Sequence, residues 1–439
     1  MCSFTITDKD TDIYKDTNFY SQKRGPDSTT QQQVDGVQFL HNLLHITGDV
    51  NHQPLTDGDI VCVMNGEIYN YNEFGDYKSD ADCIIPLYKE YGLEFAKKLD
   101  GEFAIVVIDF KKRIINLIND TFATKPLWFT FENSNFGIAS YESSLNACGF
   151  TEVEKMCGNQ AIEYNLDTFT KIRSITLTEW DLNQHKDTYD DWVTAFENSI
   201  RKRTLNTKQG IFLGLSAGYD SGAITCELTK QDVDFTAYTI LSTENKDVIN
   251  NRHKMITSGD IIELTRNEYD KFQARLITDC EEFTYNDRFK NYNIKGDKAS
   301  VGLSVICDRA NKNNQKIYFS GQGADEIISD YGFNGNKIYD HSSFGGKFPT
   351  ELDGFFPWHS FYDGTQVQYL NKEEYVAGSF GIETRYPFLD KQLVQEFLWL
   401  TPELKNKSYK APLQHYLSKN DFPFEDGKKT GFQADRNLL

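Results

Sequence analysis

The apolar run Ile211-Phe212-Leu213-Gly214-Leu215 passes directly into Ser216-Ala217-Gly218-Tyr219-Asp220-Ser221-Gly222, and a stretch that reads as a helix follows from Ala223 to Lys230. A short continuous apolar run bounded by turn residues reads as a buried strand. The small residues after it let backbone N–H groups come close to a ligand, and the helix that follows places its positive end at the same point. Strand, small-residue loop and helix N-terminus together make a phosphate cradle, with the Ser216 and Ser221 hydroxyls as further donors. A plain connection satisfies the same pattern, so the rest of the chain has to decide between them.

At the other end, Cys2 follows the initiator Met1. A small side chain at that position permits removal of the methionine, which is the expectation here. The exposed residue would then join a thiol, with an ordinary pKa of about 8.5, to an α-amine of about 7.7–8.0 that can take its proton near neutral pH. Further on, Asn65-Gly66 follows the apolar run Ile60-Val61-Cys62-Val63-Met64. A side-chain amide and a backbone N–H at a strand end can form an oxyanion hole, although Asn-Gly is also an ordinary turn.

Lys23-Arg24-Gly25-Pro26-Asp27, Asn65-Gly66-Glu67-Ile68-Tyr69-Asn70, Ser79-Asp80 and Asp100-Gly101-Glu102-Phe103-Ala104 follow Cys2 in that order. The set resembles a class II glutamine amidotransferase domain. The resemblance implies catalytic roles for Cys2, Asn65 and Gly66 and glutamine binding by Asn65, Glu67 and Asp80, with the Asp80 carboxylate on the α-ammonium of glutamine. One position departs from the pattern: His41-Asn42-Leu43-Leu44 puts Leu43 where the family carries an arginine that holds the glutamine carboxylate.

In the second half, the Ser-x-Gly-x-Asp-Ser order from Ser216 to Ser221 resembles the PP-loop of ATP pyrophosphatases. With Ser320-Gly321-Gln322-Gly323-Ala324-Asp325-Glu326, Gly381-Ile382-Glu383-Thr384-Arg385-Tyr386-Pro387-Phe388-Leu389-Asp390 and Lys410, it resembles the synthetase domain of glutamine-dependent asparagine synthetase. This resemblance runs from Cys2 to about Leu417. It implies ATP binding by Leu215, Ser216, Gly218, Asp220, Ser221, Ser320, Gly321 and Lys410. Asp220 and Asp325 would hold Mg²⁺, a hard cation that needs oxygen ligands, and Lys410 would neutralise the pyrophosphate leaving group. Lys298, Gln322, Glu326 and Arg385 would line the acceptor site. Gln322 stands where the family usually has glutamate and Lys298 where it often has arginine. An amide cannot take up a proton as a base, and a point charge is not a bidentate fork. The chain also ends earlier than bacterial asparagine synthetases, again on the acceptor side.

The fold class expected is an α+β N-terminal nucleophile αββα sandwich, followed by an α/β nucleotide-binding domain of the PP-loop, adenine nucleotide alpha hydrolase-like kind. The boundaries expected are 1–182 and 188–439, separated by the polar stretch Asp181–Thr188. Phe103–Asp109 and Arg113–Ile118 read as a hairpin, and Trp192, Ala195, Phe196, Ser199 and Ile200 fall on one helix face. The aromatic, glycine-rich stretch Tyr331–Tyr369 reads as a loop packed on its own rings, with a lid or an acceptor-site wall as the alternative.

A net charge of −19 over 439 residues argues against a nucleic-acid partner and makes local positive charge necessary for ATP. No apolar run is long enough to span a membrane, and eight scattered cysteines without metal-ligand spacing suggest reduced thiols in the cytoplasm. The expected reaction is glutamine hydrolysis at Cys2, ATP-dependent adenylation of an acceptor carboxylate, and displacement of AMP by ammonia. Aspartate is the leading acceptor, and a polysaccharide uronic acid stays open because of Gln322. A β-lactam-synthetase-like ligase and a non-catalytic glutamine or nucleotide sensor are the rival readings. A homodimer is left open.

Overall fold

Side-chain alternation along one strand sets the layering of the first half. In Ile60–Ile68, Val61 and Val63 join one buried core, while Ile60, Cys62 and Met64 join another. Successive residues of a strand point to opposite faces, so a strand apolar at nearly every position must be covered on both sides. The first core contains Phe4, Ile6, Val37 and Phe39 from a facing sheet. The second contains Ile84, Leu87 and Tyr88 of the helix Ile84–Tyr91.

The computed structural model describes residues 2–286, 291–333, 335–337, 342–427 and 434. Two compact units divide the chain: Met1–Glu179 with Asn206–Lys208 and Ala377–Glu383, and Trp180–Leu205 with Gln209–Val376 and Thr384–Leu439. The first unit contains two six-stranded antiparallel sheets. One has the order Glu154–Lys155, Trp128–Glu132, Asn135–Ala139, Ser3–Thr7, Val37–Leu43, Ser28–Val34. The other has the order Lys171–Thr176, Gln160–Asn165, Ile114–Asn119, Gly101–Asp109, Ile60–Ile68, Leu55–Asp57. Helices Ile13–Arg24 and Glu142–Ala147 pack on the first sheet and Ile84–Tyr91 on the second, completing a helix–sheet–sheet–helix stack.

The expected hairpin forms, from Gly101–Asp109 and Ile114–Asn119. Asn65-Gly66, however, does not end its strand. Pairing with Gly101–Asp109 continues through Asn65↔Ala104 and Gly66↔Phe103 to Ile68. Gly66 has φ +136°, and a Cβ there would lie 2.0 Å from the Glu102 carbonyl oxygen. Ladder pairing thus overrides the local turn signal, and glycine is required because the backbones approach too closely for a side chain.

In the second unit, strands Gly259–Ile262, Phe235–Ile240, Gly210–Gly214 and Gln315–Phe319 run parallel, with Thr384 and Arg385 at the edge beyond Gln315–Phe319. Helix Tyr219–Lys230 begins earlier than the apolar pattern suggests and takes in Asp220, Ser221 and Gly222. The periodic face at Trp192–Ile200 lies on helix Asp190–Thr204. Within 331–369, Phe344, Phe348, Trp358 and Phe361 pack mainly edge to face, around the short helix His359–Tyr362 and the start of Thr365–Gly378. Residues 334 and 338–341 of that stretch lie outside the described residues. Among the described residues no helix is long and apolar enough to cross a membrane.

Replacing Gly66 by alanine should cost on the order of 1–3 kcal/mol from backbone strain, with the clash at Glu102 in addition. Chemical denaturation of the Gly66→Ala variant measures this, and an unchanged midpoint would contradict the close approach.

Candidate active sites

In the first unit, strand Ser3–Thr7 delivers Cys2 to the end of its sheet, and strand Ile60–Ile68 of the facing sheet delivers Asn65. The Cys2 backbone nitrogen donates to Asn65 Oδ1 at 3.1 Å. That leaves Asn65 Nδ2, fully buried, without a hydrogen-bond acceptor among the described residues. Buried donors are almost always paired, so an orphan donor beside a candidate nucleophile is what an oxyanion hole provides. The same bond holds the Cys2 nitrogen, so the two residues orient each other. Burial pushes the Cys2 thiol up to about 11, against the pull of the positive chain terminus. In this setting the thiol stays protonated at neutral pH and needs a nearby base.

Asp80 opens a short 3₁₀ turn, where its carboxylate accepts from Ile68 N–H at 2.8 Å and Ser79 Oγ–H at 3.4 Å. Burial raises its pKa to about 6, with the Glu383 charge adding to the shift. A carboxyl raised in the fold destabilises it as pH rises from the unfolded value through 6, unless a cation compensates the charge. Glu67 is also buried, and its charge acts on the Cys2 thiol. Leu43 is buried at the end of Val37–Leu43 and accepts from Asp27 N–H through its carbonyl at 2.9 Å.

Two contributors to this centre had no assigned role in the sequence reading. Arg24 is fully buried, donates from Nε to the Cys2 carbonyl at 2.9 Å and lies over the Tyr141 ring. Glu383 comes from the distant piece Ala377–Glu383, which belongs to this unit, and its charge acts on both Cys2 and Asp80. Within that piece, a Cβ at Gly378 would lie 3.0 Å from Arg24 Nη1, and one at Gly381 would lie 2.8 Å from Pro26. A buried basic residue beside Gly25-Pro26 was a usable signal for Arg24. Nothing local announces Glu383.

In the second unit, the loop after Gly210–Gly214 folds on its own hydroxyls. Ser216 N–H donates to Ser221 Oγ at 3.1 Å, Gly218 N–H donates to Ser216 Oγ at 3.1 Å, and the two hydroxyls are 2.9 Å apart. Leu215 N–H is tied to the Tyr238 carbonyl of the neighbouring strand at 2.8 Å. Asp220, in the first turn of Tyr219–Lys230, meets Lys410 Nζ at 2.6 Å, and the same ammonium reaches Asp325 at 2.9 Å. Three segments spread over 190 residues of sequence thereby converge on one point.

Among the described residues no group of three or more His, Cys, Asp or Glu forms a metal cluster. Two converging carboxylates nevertheless fit Mg²⁺, which is commonly bound by one or two carboxylates together with substrate phosphates. The cation now between them is the Lys410 ammonium, so the arrangement suits positive charge.

Ser320 caps the strand Gln315–Phe319, its N–H donating to the Arg385 carbonyl at 3.0 Å and its Oγ accepting from Gln322 N–H at 3.0 Å. A Cβ on Gly321 would lie 2.9 Å from Asp220, so this loop runs beside the start of helix Tyr219–Lys230. Glu326 is occupied within its own turn: its carboxylate accepts from Gly323 N–H at 3.0 Å and from the Tyr331 hydroxyl. Arg385 is buried and donates to the Arg203 carbonyl. Lys298 sits half-buried at the start of helix Lys298–Lys312. A cavity of about 250 Å³ opens beside Lys410, lined also by Lys347, Lys405, Asn406 and Tyr409. Burial lowers the Lys405 pKa to about 7.

A family model described as a glutamine amidotransferase domain matches residues 1–178. The putative glutamine-hydrolysing asparagine synthetase 1 of Methanocaldococcus jannaschii is 27% identical over 424 residues, covering 86% of this chain and 73% of that protein. The probable glutamine-hydrolysing asparagine synthetase of Schizosaccharomyces pombe is 25% identical, covering 87% and 72%. The Homo sapiens glutamine-hydrolysing asparagine synthetase is 25% identical, covering 87% and 73%. These similarities extend across both units, and the two polar centres fall in the segments that carry the sequence resemblance: residues 1–178 match a glutamine amidotransferase domain, and the chain is similar over most of its length to glutamine-hydrolysing asparagine synthetases.

Proposed function

We propose that this chain is an ATP-dependent, glutamine-hydrolysing carbon–nitrogen ligase that converts a carboxylate to an amide, with aspartate as the acceptor and asparagine as the product. The observation that carries the reading is the orphaned Asn65 Nδ2, a buried donor on the residue whose Oδ1 holds the Cys2 nitrogen.

In the first half-reaction, the nitrogen held by Asn65 Oδ1 is the α-amine once Met1 is removed. It takes the Cys2 proton, and the thiolate attacks the glutamine side-chain carbonyl. Asn65 Nδ2 and the Gly66 N–H receive the developing oxyanion, a contribution of roughly 3 kcal/mol for one well-aimed donor. Collapse expels ammonia and leaves a thioester, which water hydrolyses to glutamate. Asp80 and Glu67 hold the glutamine amine, and an ammonium beside Asp80 offsets the cost of its ionisation in the fold. Arg24 fixes the Cys2 carbonyl and thereby the direction of its thiol.

In the second half-reaction, an oxygen of the acceptor carboxylate attacks the α-phosphorus of ATP, giving an acyl-adenylate and pyrophosphate. The Ser216–Ser221 loop holds the pyrophosphate, with Ser320 and Gly321 beside it. Bound by Asp220 and Asp325, Mg²⁺ would neutralise charge on the phosphate oxygens. Lys410 supplies further positive charge against leaving-group oxygens. Ammonia then adds to the acyl carbon and AMP departs, leaving the amide.

A second reading keeps this chemistry and changes the acceptor to another carboxylate, such as a sugar acid. Gln322 supports it, because an amide in place of a carboxylate removes a base from the amination step.

Pyrophosphate release with Mg-ATP and glutamine, compared across aspartate and a panel of other carboxylates, separates the two. Aspartate-dependent release with asparagine formed is expected, and release only with another acid would establish the second reading. Cys2→Ala should abolish glutamine use while ammonia-dependent synthesis persists, as measured by glutamate and amide formation in parallel. Glutamine hydrolysis at the parent rate would remove Cys2 from the mechanism. Asp325→Asn should reduce pyrophosphate release by at least about a hundredfold, in line with loss of a metal ligand. Its glutaminase activity should be retained, and equal release by parent and variant would exclude the metal role.

A further inference from the structure

The three N–H groups of Ser216, Ala217 and Gly218 all have acceptors, and the acceptors differ in kind. Ser216 and Gly218 donate to hydroxyls, which can rotate and become donors themselves. Ala217 N–H instead donates to Glu244 Oε2 at 3.1 Å. Glu244 lies two residues before helix Lys246–His253, outside every segment that carries the sequence resemblance.

Arg252, on that helix, organises the loop from behind. Its Nη1 donates to the carbonyls of Ser216 and Gly218, the latter at 2.9 Å, and its Nε donates to the Pro423 carbonyl at 2.8 Å. Drawing these carbonyls towards Arg252 turns the intervening Ala217 N–H to the other side, where it meets the carboxylate. A Cβ at Gly222 would lie 2.4 Å from Arg252 Nη2, so the glycine in the helix makes room for the guanidinium.

A backbone N–H at the start of a helix is the donor a phosphate oxygen would use. We propose that Glu244 and phosphate compete for Ala217 N–H, so that this carboxylate sets the affinity of the loop for pyrophosphate and for the phosphates of a nucleotide. This inference rests on the reading of Ser216–Ser221 as the phosphate loop. Both ligands are anionic, and two anions cannot share one donor at close range without strong repulsion. Binding therefore requires Glu244 to withdraw or to be protonated, and the loop exchanges one anion for another.

Burial makes protonation of Glu244 accessible. Burial raises the Glu244 pKa to about 7, against the pull of Ala217 N–H and Arg252. Among the described residues, Asp220 acts on Arg252, and Glu425 accepts from Asn245, next to Glu244, at 3.3 Å. Above neutral pH the carboxylate is charged and competes fully, and below it the proton removes the repulsion.

Calorimetric titration of the full chain with pyrophosphate and with Mg-ATP at pH 6, 7 and 8 tests this. The variants are Glu244→Gln, Glu244→Ala and Ser221→Ala. Glu244→Gln keeps an acceptor for Ala217 N–H, and its thermal midpoint verifies that the loop region stays folded. Both Glu244 variants should bind pyrophosphate about tenfold more tightly than the parent at pH 8, the gain shrinking towards pH 6. Equal or weaker binding by both at pH 8, with Ser221→Ala still weakened, would overturn the competition and leave the phosphate loop standing. If Ser221→Ala binds as the parent does, or if the parent binds neither ligand, the phosphate-loop reading fails and the inference fails with it.

Discussion

The second unit is organised around one ammonium. Lys410 is buried between Asp220 and Asp325, and through it the helix after the first central strand, the loop after the fourth and a helix near the chain's end are drawn together. Neither carboxylate is fully shielded, but removing a buried partner from such a group leaves charge unpaired, at a cost of roughly 3–5 kcal/mol. Lys410 itself has φ +47°, a left-handed backbone that a residue with a side chain adopts at a cost of about 1–2 kcal/mol. The ion pairs outweigh that strain. The same cluster places positive charge beside the phosphate loop of a chain whose net charge is −19. Structural cohesion and the proposed handling of triphosphate thus come from the same three side chains.

Features set by neighbours in sequence were legible from sequence. The apolar run before Ser216, the hairpin around Phe110-Lys111-Lys112 and the helical face at Trp192 all express local periodicity, and they form as their patterns indicate. Asn65-Gly66 shows the limit of local reading. As a dipeptide it signals a turn, but pairing with Ala104 and Phe103 keeps it extended, and Gly66 is needed for the close approach to Glu102. Arg24, Glu244, Arg252 and Glu383 were not assigned roles because their importance lies in contacts across long separations. Arg252 reads as an ordinary cation on a polar helix until the two carbonyls it binds are known. The joining of Ala377–Glu383 to the first unit has no counterpart in any local pattern.

Burial favours the neutral form of both nucleophile-side groups, with different chemical consequences. It raises the Cys2 thiol to about 11, which suppresses spontaneous thiolate and keeps the sulfur unreactive without a base close by. It raises Asp80 to about 6, so the empty carboxylate site is costly above that pH and an ammonium ligand relieves the cost. On the proposed reading, one desolvated environment both restrains the nucleophile and favours a substrate carrying the complementary charge.

The two centres also differ in how their backbone and amide donors are satisfied, and that difference bears on how each would bind. At Cys2 a donor is left unpaired: the bare Asn65 Nδ2 costs about 1–3 kcal/mol in the fold, and on the proposed reading the penalty is recovered when an oxyanion forms. In the Ser216–Ser221 loop each of the N–H donors of Ser216, Ala217 and Gly218 is engaged, two by hydroxyls and one by Glu244. A preformed vacancy favours a short-lived intermediate, because the stabilisation appears only when the charge does. An already satisfied loop exchanges partners instead, so its net affinity is the small difference between two large interactions and is sensitive to one carboxylate. On the proposed reading, a loop that releases pyrophosphate after each turnover is well served by such a balance.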